Sequence, residues 1–211
     1  MYKPSGDHQL VFLKASDTGG RLSLYDQRGY GGDGAKISIG ASQRAYDGEG
    51  NITNNGGGYV SNAKDFADAF TDTKKVGYLE YYKSGIGSAD FSGPIKHYIE
   101  PKGKKWDKPI VIITNRKCYS STSFFTTMMK ELPNVTVLGD DTGGGAGLPV
   151  DFTLPNGWYL RYSTTRATNP EGVDFELGVK ADEYLNLDEV GALNGKDNII
   201  ERAKEIIDSK T

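Results

Sequence analysis

The sequence predicts an α/β domain, and three consecutive segments carry that reading. Ile110–Thr114 (IVIIT) is an unbroken apolar run of strand length, so both faces of that strand should be covered, as in a parallel or mixed sheet flanked by helices. Phe124, Met128 and Leu132 follow at four-residue steps, with Phe125 and Met129 widening the stripe; this is a helix pattern ended by Pro133. Val135–Leu138 then supplies the second strand of a strand–helix–strand unit.

The other elements follow from local patterns. Leu10–Leu13, Leu22 with Leu24, and Ile37 with Ile39 read as short strands joined by long, glycine-punctuated connections. Ser61 is a candidate N-cap for a helix that places Ala63, Phe66, Ala67 and Phe70 on one face. Val76–Tyr82 (VGYLEYY) is rich in β-formers and predicts a strand. Residues 87–109 are polar and bounded by prolines, which predicts a long surface excursion. DFTLPNGWYLRYS predicts a hairpin around Pro155, Asn156 and Gly157. At the C-terminus, Ile199, Ile200, Ala203, Ile206 and Ile207 share one helical face.

Composition narrows the function classes. Among 211 residues, 36% are hydrophobic and 25% charged, which is enough apolar surface for a single domain with a core. A formal net charge of -3 lacks the electrostatic footprint of a nucleic-acid binder. One cysteine and two histidines exclude a disulfide framework and a cysteine- or histidine-rich metal centre. No apolar run approaches bilayer length, and the first residues, MYKPSGDHQ, carry no signal-like stretch. Glycine is the anomaly, with 28 residues, about twice the usual share.

Four groups of residues could carry chemistry. Cys118-Tyr119-Ser120-Ser121-Thr122-Ser123 lies between the apolar strand and its helix, where unpaired helix N–H groups face a developing oxyanion. From the residues alone the same hydroxyls read more simply as N-caps, and Cys118 as inert packing or a reactive thiol. Asn54-Asn55-Gly56-Gly57-Gly58 allows close backbone approach to an anion or a carbonyl oxygen, or is a flexible turn; no phosphate-loop Lys follows. The 139–147 segment (GDDTGGGAG) suggests a metal loop or a tight cleft-lining loop, without calcium-loop spacing. His97 and His8 sit in polar segments and serve as a general base only if the fold brings one to Ser120; Glu176 is a possible orienting carboxylate.

Taken in order, NNGGG-YVSNAKDFADAF, KPIVIITNRKCYSSTSFFTTMM, LPNVTVLGDDTGGGAGLP, LPNGWYLRYS and FELGVKAD with GKDNIIERA resemble the C-terminal-processing, or tail-specific, serine peptidases. The likeness is nearest to the envelope-associated Bacteroides-type branch, close to the tricorn core and retinoid-binding relatives. It covers about residues 52–208, while the glycine-rich 1–50 matches poorly. The resemblance implies a ClpP/crotonase-like core of β-β-α units with a mixed sheet and flanking helices. It also implies Ser120 as nucleophile, the N–H groups of Ser121 and Gly58 as oxyanion donors, and Glu176 as an acidic support. Relatives with a Ser/Lys dyad carry lysine where this chain has Gly145. Tricorn-like relatives take a histidine from far upstream, which has no counterpart here, leaving His97 as the base candidate.

One domain over residues 1–211 is therefore expected, acting as a serine peptidase on polypeptides or their C-terminal tails, without a cofactor or metal. The alternative is a non-catalytic module holding a peptide or apolar ligand in the same cleft, consistent with 13 Tyr and 8 Phe. An acyl-CoA enzyme of the crotonase type shares the fold but not the TGGGAGLP and LPNGW pieces. An oligomer is possible, no nucleic-acid partner is expected, and the resemblance implies the cell envelope, the periplasm or secretion.

Overall fold

The computed structural model describes the strand backbones of residues 10–16, 19–25 and 37–39, and residues 55–103 and 108–210. His8 and the 41–54 segment that leads into the glycine run lie outside the described residues. The three N-terminal strands β1 (Leu10–Ser16), β2 (Gly19–Tyr25) and β3 (Ile37–Ile39) form an antiparallel sheet in the order β1-β2-β3, with Leu13 opposite Leu22 and Leu22 opposite Ile39.

The first helix, α1, spans Val60–Ala67 and tightens into a 3-10 turn at Asp68–Phe70. Tyr59, not Ser61, is the N-cap, and it makes no side-chain cap bond. Ala63, Phe66, Ala67 and Phe70 are buried, as their spacing requires. Strand β4 (Lys75–Tyr82) pairs antiparallel with β5 (Ile95–Ile99), and β5 lies inside the segment expected to be a surface excursion. That expectation is corrected for a physical reason. β5 is an edge strand whose residues, apart from Ile99, are exposed or half-buried, so it lacks the alternating apolar signal.

The strand–helix–strand unit is where it was expected. β6 (Ile110–Thr114) pairs parallel with β7 (Val135–Gly139), and α2 (Ser121–Lys130) connects them. Ile110 and Ile112 point into the main core with α2, whereas Val111 and Ile113 pack with Leu138 against the C-terminal helix α4 (Asn198–Ser209). The unbroken apolar run of β6 thus reflects helices on both faces. α2 is buried from Ser121 to Met129. Phe125 stacks on Phe66 at 5.1 Å, and Phe124 meets Tyr78 edge-on at 4.9 Å, which clamps α2 between α1 and β4.

Strands β8 (Pro149–Thr153) and β9 (Tyr159–Ser163) form the expected hairpin. Its Val150, Phe152, Leu160 and Tyr162 face is exposed. β10 (Thr165–Thr168) joins the other edge of β4, and β11 (Glu183–Tyr184) extends β7 in parallel. A short helix, α3 (Glu189–Leu193), precedes α4; Asp188 and Asp197 cap the two helices by accepting from their first amides. No helix among the described residues is long and apolar enough to cross a membrane.

Candidate active site

β6 and α2 are joined by a turn that delivers Ser120 to the start of the helix. Ser120 has φ 55 and ψ -125, and it is the only described non-glycine residue with positive φ. Such a conformation costs on the order of 1–3 kcal/mol and survives only when its surroundings impose it. Ser120 holds the cap position, yet its hydroxyl makes no cap bond, so its identity is not explained by helix capping. Among the described residues no side chain hydrogen-bonds its Oγ.

Two loops impose the turn. Asn55 O accepts the Tyr119 amide at 3.0 Å and Thr122 Oγ1 at 3.1 Å, and Asn55 Oδ1 accepts the Gly57 amide at 2.9 Å. This packs the glycine run against the Ser120 turn: a Cβ on Gly57 would stand 2.7 Å from Ser120 Cβ and 3.0 Å from the Ser121 amide nitrogen. From the other side, Gly143 N donates to Cys118 O at 2.6 Å, and Ser120 N donates to Gly144 O at 2.7 Å. No described acceptor takes the N–H of Ser121 or of Gly58. Ser121 follows Ser120 directly and Gly58 follows the Gly57 packed against it, so two unclaimed amides lie in the two segments that meet at Ser120.

Glu176 makes no hydrogen bond to Ser120. Its Oε2 accepts the amides of Ala146 and Gly147 at 2.8 and 3.0 Å, and its carbonyl accepts the Gly145 amide at 3.0 Å. It pins three successive amides of the glycine loop. Arg116 helps by donating to Thr142 O and Leu177 O. Cys118 is fully buried in the main core, which suits packing rather than attack.

His97 sits on β5, where its Nε2 meets Glu80 Oε2 at 2.8 Å and its ring stacks on Tyr78 at 4.3 Å. Glu80 is 1% exposed, also accepts from Tyr82 Oη, and keeps Oε1 buried without a partner. Burial and the Glu80 charge push the Tyr78 phenol well above its ordinary range. The bond to Glu80, before burial and charge, raises Tyr82 as well. In the glycine loop, Asp141 binds Lys180, Tyr184 and the Ala181 amide. Burial opposes its charge, but those bonds outweigh it and hold the carboxyl below the usual range. Asp141 is therefore tied into a hydrogen-bonded brace under the loop.

The residues that sequence reasoning left unassigned are Asn55, Ser123 and Thr142. Ser123 and Thr142 are fully buried, and their hydroxyls are 2.9 Å apart. The available signal was the run of Ser and Thr in an otherwise apolar helix, at positions 121, 122, 123, 126 and 127. Hydroxyls on a buried helix need partners, and the loops around Ser120 supply several of them.

Residues 52–185 match the model of peptidase family S41. A crystal structure of a candidate peptidase from Parabacteroides merdae is 35% identical, with a TM-score of 0.70 over 74% of this chain and 50% of its own. The photosystem II D1 C-terminal processing protease is 22% identical, with a TM-score of 0.53 over 64% of this chain and 33% of its own. Mature CPAF complexed with lactacystin is 14% identical, with a TM-score of 0.58 over 95% of this chain and 54% of its own. This chain spans about half the length, or less, of these relatives. No curated protein matches it.

Proposed function

Because the chain belongs to peptidase family S41, we propose that it carries the catalytic core of a serine peptidase in which Ser120 attacks a peptide carbonyl. The observation that carries this reading is the strained Ser120, with unclaimed amides on Ser121, the next residue, and on Gly58, which follows the Gly57 packed against it. Ser120 Oγ adds to the carbonyl carbon, and the π electrons move onto the carbonyl oxygen, where the two N–H groups stabilise them. Collapse breaks the C–N bond, the serine proton leaves with the amine, and water hydrolyses the acyl-serine. Removing one such donor typically costs about 10²–10³ in rate.

Glu176 acts on the glycine loop in this scheme, holding the cleft wall in place through its amides. The substrate is a polypeptide, with a C-terminal tail as the finer expectation. A place in the cell envelope, taken from the family resemblance, belongs to the same proposal and is checked by fractionating cells that express the native gene.

A serine-directed fluorophosphonate should label the wild-type protein at Ser120 and leave Ser120→Ala unlabelled, with peptide hydrolysis lost in the same variant. A folded protein that takes no label, or whose hydrolysis survives Ser120→Ala, overturns the assignment. Peptide binding without turnover would instead favour a non-catalytic module.

A further inference from the structure

Behind Ser120 lies a chain of buried hydrogen bonds whose direction can be assigned. The Val179 amide donates to Thr142 Oγ1 at 2.9 Å. Ser123 Oγ donates to the Gly144 carbonyl at 2.8 Å, and the two hydroxyls are 2.9 Å apart. A hydroxyl has one proton. Ser123 spends its proton on a carbonyl, which can only accept, so Thr142 must donate to Ser123. The chain therefore runs from the Val179 N–H through Thr142 and Ser123 to Gly144 O. That same carbonyl receives the Ser120 amide at 2.7 Å.

We propose that Ser123 and Thr142 are positioning residues that fix the Gly144 carbonyl, and through it the backbone conformation of the nucleophile. Three observations converge. Ser123 and Thr142 are fully buried, so water does not compete for their bonds. The chain starts at Val179, three residues beyond Glu176, so it joins the Glu176 segment to the nucleophile turn. It ends on the acceptor of the only described non-glycine residue with positive φ. Hydrogen bonds in series polarise one another, and in a dry interior a carbonyl held by two donors is well fixed. Removal of the Thr142 hydroxyl breaks the series at its centre, leaving the Val179 amide unpaired.

This inference rests on Ser120 being the nucleophile, so its test includes a readout independent of chemistry. Thr142→Val keeps the shape and removes the hydroxyl, Thr142→Ser keeps the hydroxyl, and Ser123→Ala is a second way to break the chain. Ile206→Val, in the other core cluster, controls for general destabilisation. Two quantities are measured: saturation kinetics of fluorophosphonate labelling, and hydrogen exchange at the Ser120 amide. Thr142→Val and Ser123→Ala should lower the maximal labelling rate about tenfold with an unchanged inhibitor constant, and speed Ser120 exchange about tenfold. Thr142→Ser should recover most of both, and Ile206→Val should change neither.

Labelling and exchange within twofold of wild type in Thr142→Val and Ser123→Ala would overturn the proposal, as would equal losses in Ile206→Val. If one of the two chain-breaking variants fails to fold, the other decides. If the wild-type protein takes no label, the nucleophile assignment fails on its own, and the exchange measurement still decides the positioning role. Faster Ser120 exchange then supports it, and unchanged exchange overturns it.

Discussion

The ring of Tyr119 occupies the space into which a side chain at Gly145 would project: a Cβ built there lands on the ring carbons. Tyr119 is the residue just before Ser120, and it is half-exposed, with its ring also 3.2 Å from the Cβ position of Gly143. The Ser120 turn and the glycine loop thus meet across the Tyr119 ring, at the position where the family resemblance places lysine in dyad-type relatives.

Gly145→Lys alone should therefore fail to improve Ser120 labelling. It forces a side chain into φ +77 and onto the Tyr119 ring, and should cost about 2–4 kcal/mol from backbone strain and overpacking together. Adding Tyr119→Ala should relieve the packing share and leave a strain of about 1–2 kcal/mol. Denaturant midpoints of the two variants check this. A single Gly145→Lys protein as stable as wild type contradicts it.

Gly57 and its neighbour Gly56 should respond in opposite ways to alanine. At Gly57, φ is +100 and a Cβ would meet Tyr119 O at 2.6 Å and Ser120 Cβ at 2.7 Å, both in the strained turn that has little room to give. At Gly56 nothing lies within 4 Å. Gly57→Ala should lose about 2–3 kcal/mol and most Ser120 labelling, whereas Gly56→Ala should leave stability within about 0.5 kcal/mol of wild type. Thermal melts and labelling rates of the pair provide the measurement.

What could be read from the sequence tracks how each element is buried. β6 was legible because helices cover both of its faces, so every residue but the last is apolar. The β8–β9 hairpin was legible from its Pro-Asn-Gly turn, with Gly157 at φ +84. β5 and β10 were not: IKHYI buries only Ile99 fully, and TRAT buries threonines, so neither shows an apolar alternation. At the site, the place of Ser120 between strand and helix was legible, and the family resemblance assigned it a role. Its positive φ was not, because serine has no preference for that conformation; Asn55 and the glycine loop impose it from distant parts of the chain. The Glu80–His97 pair was hidden for a similar reason, since cross-strand neighbours depend on a register that the bulge at Val76/Tyr78 alters.

Glu176 should behave as a tether for the loop. Its carboxylate oxygen satisfies the amides of Ala146 and Gly147, so Glu176→Ala leaves two donors without their acceptor and should cost about 1–3 kcal/mol. Glu176→Gln retains a carbonyl oxygen and should keep most of the stability. Labelling should fall in the same order, Ala below Gln below wild type. Equal labelling in all three variants, measured under conditions where all are folded, would count against a role for the loop in holding the site.

Glu131 gives the fold a pH dependence of known sign. Burial, and then the charge of Glu171, push its carboxyl up to about 7, with Lys75 partly opposing them. An acid whose pKa is raised on folding binds its proton more tightly in the native state. Between the ordinary carboxylate pKa, about 4.3, and about 7, the folded chain holds a proton that the unfolded chain has released, so stability falls as pH rises through that window. Glu131→Gln removes the titration. The variant should match wild type near pH 4 and exceed it above pH 7 by about 1 kcal/mol, a figure reduced for the partial exposure of the side chain. Urea unfolding from pH 4 to pH 8 measures the difference between the two proteins. It should grow with pH, and a constant offset across the range would mean that Glu131 titrates alike in both states.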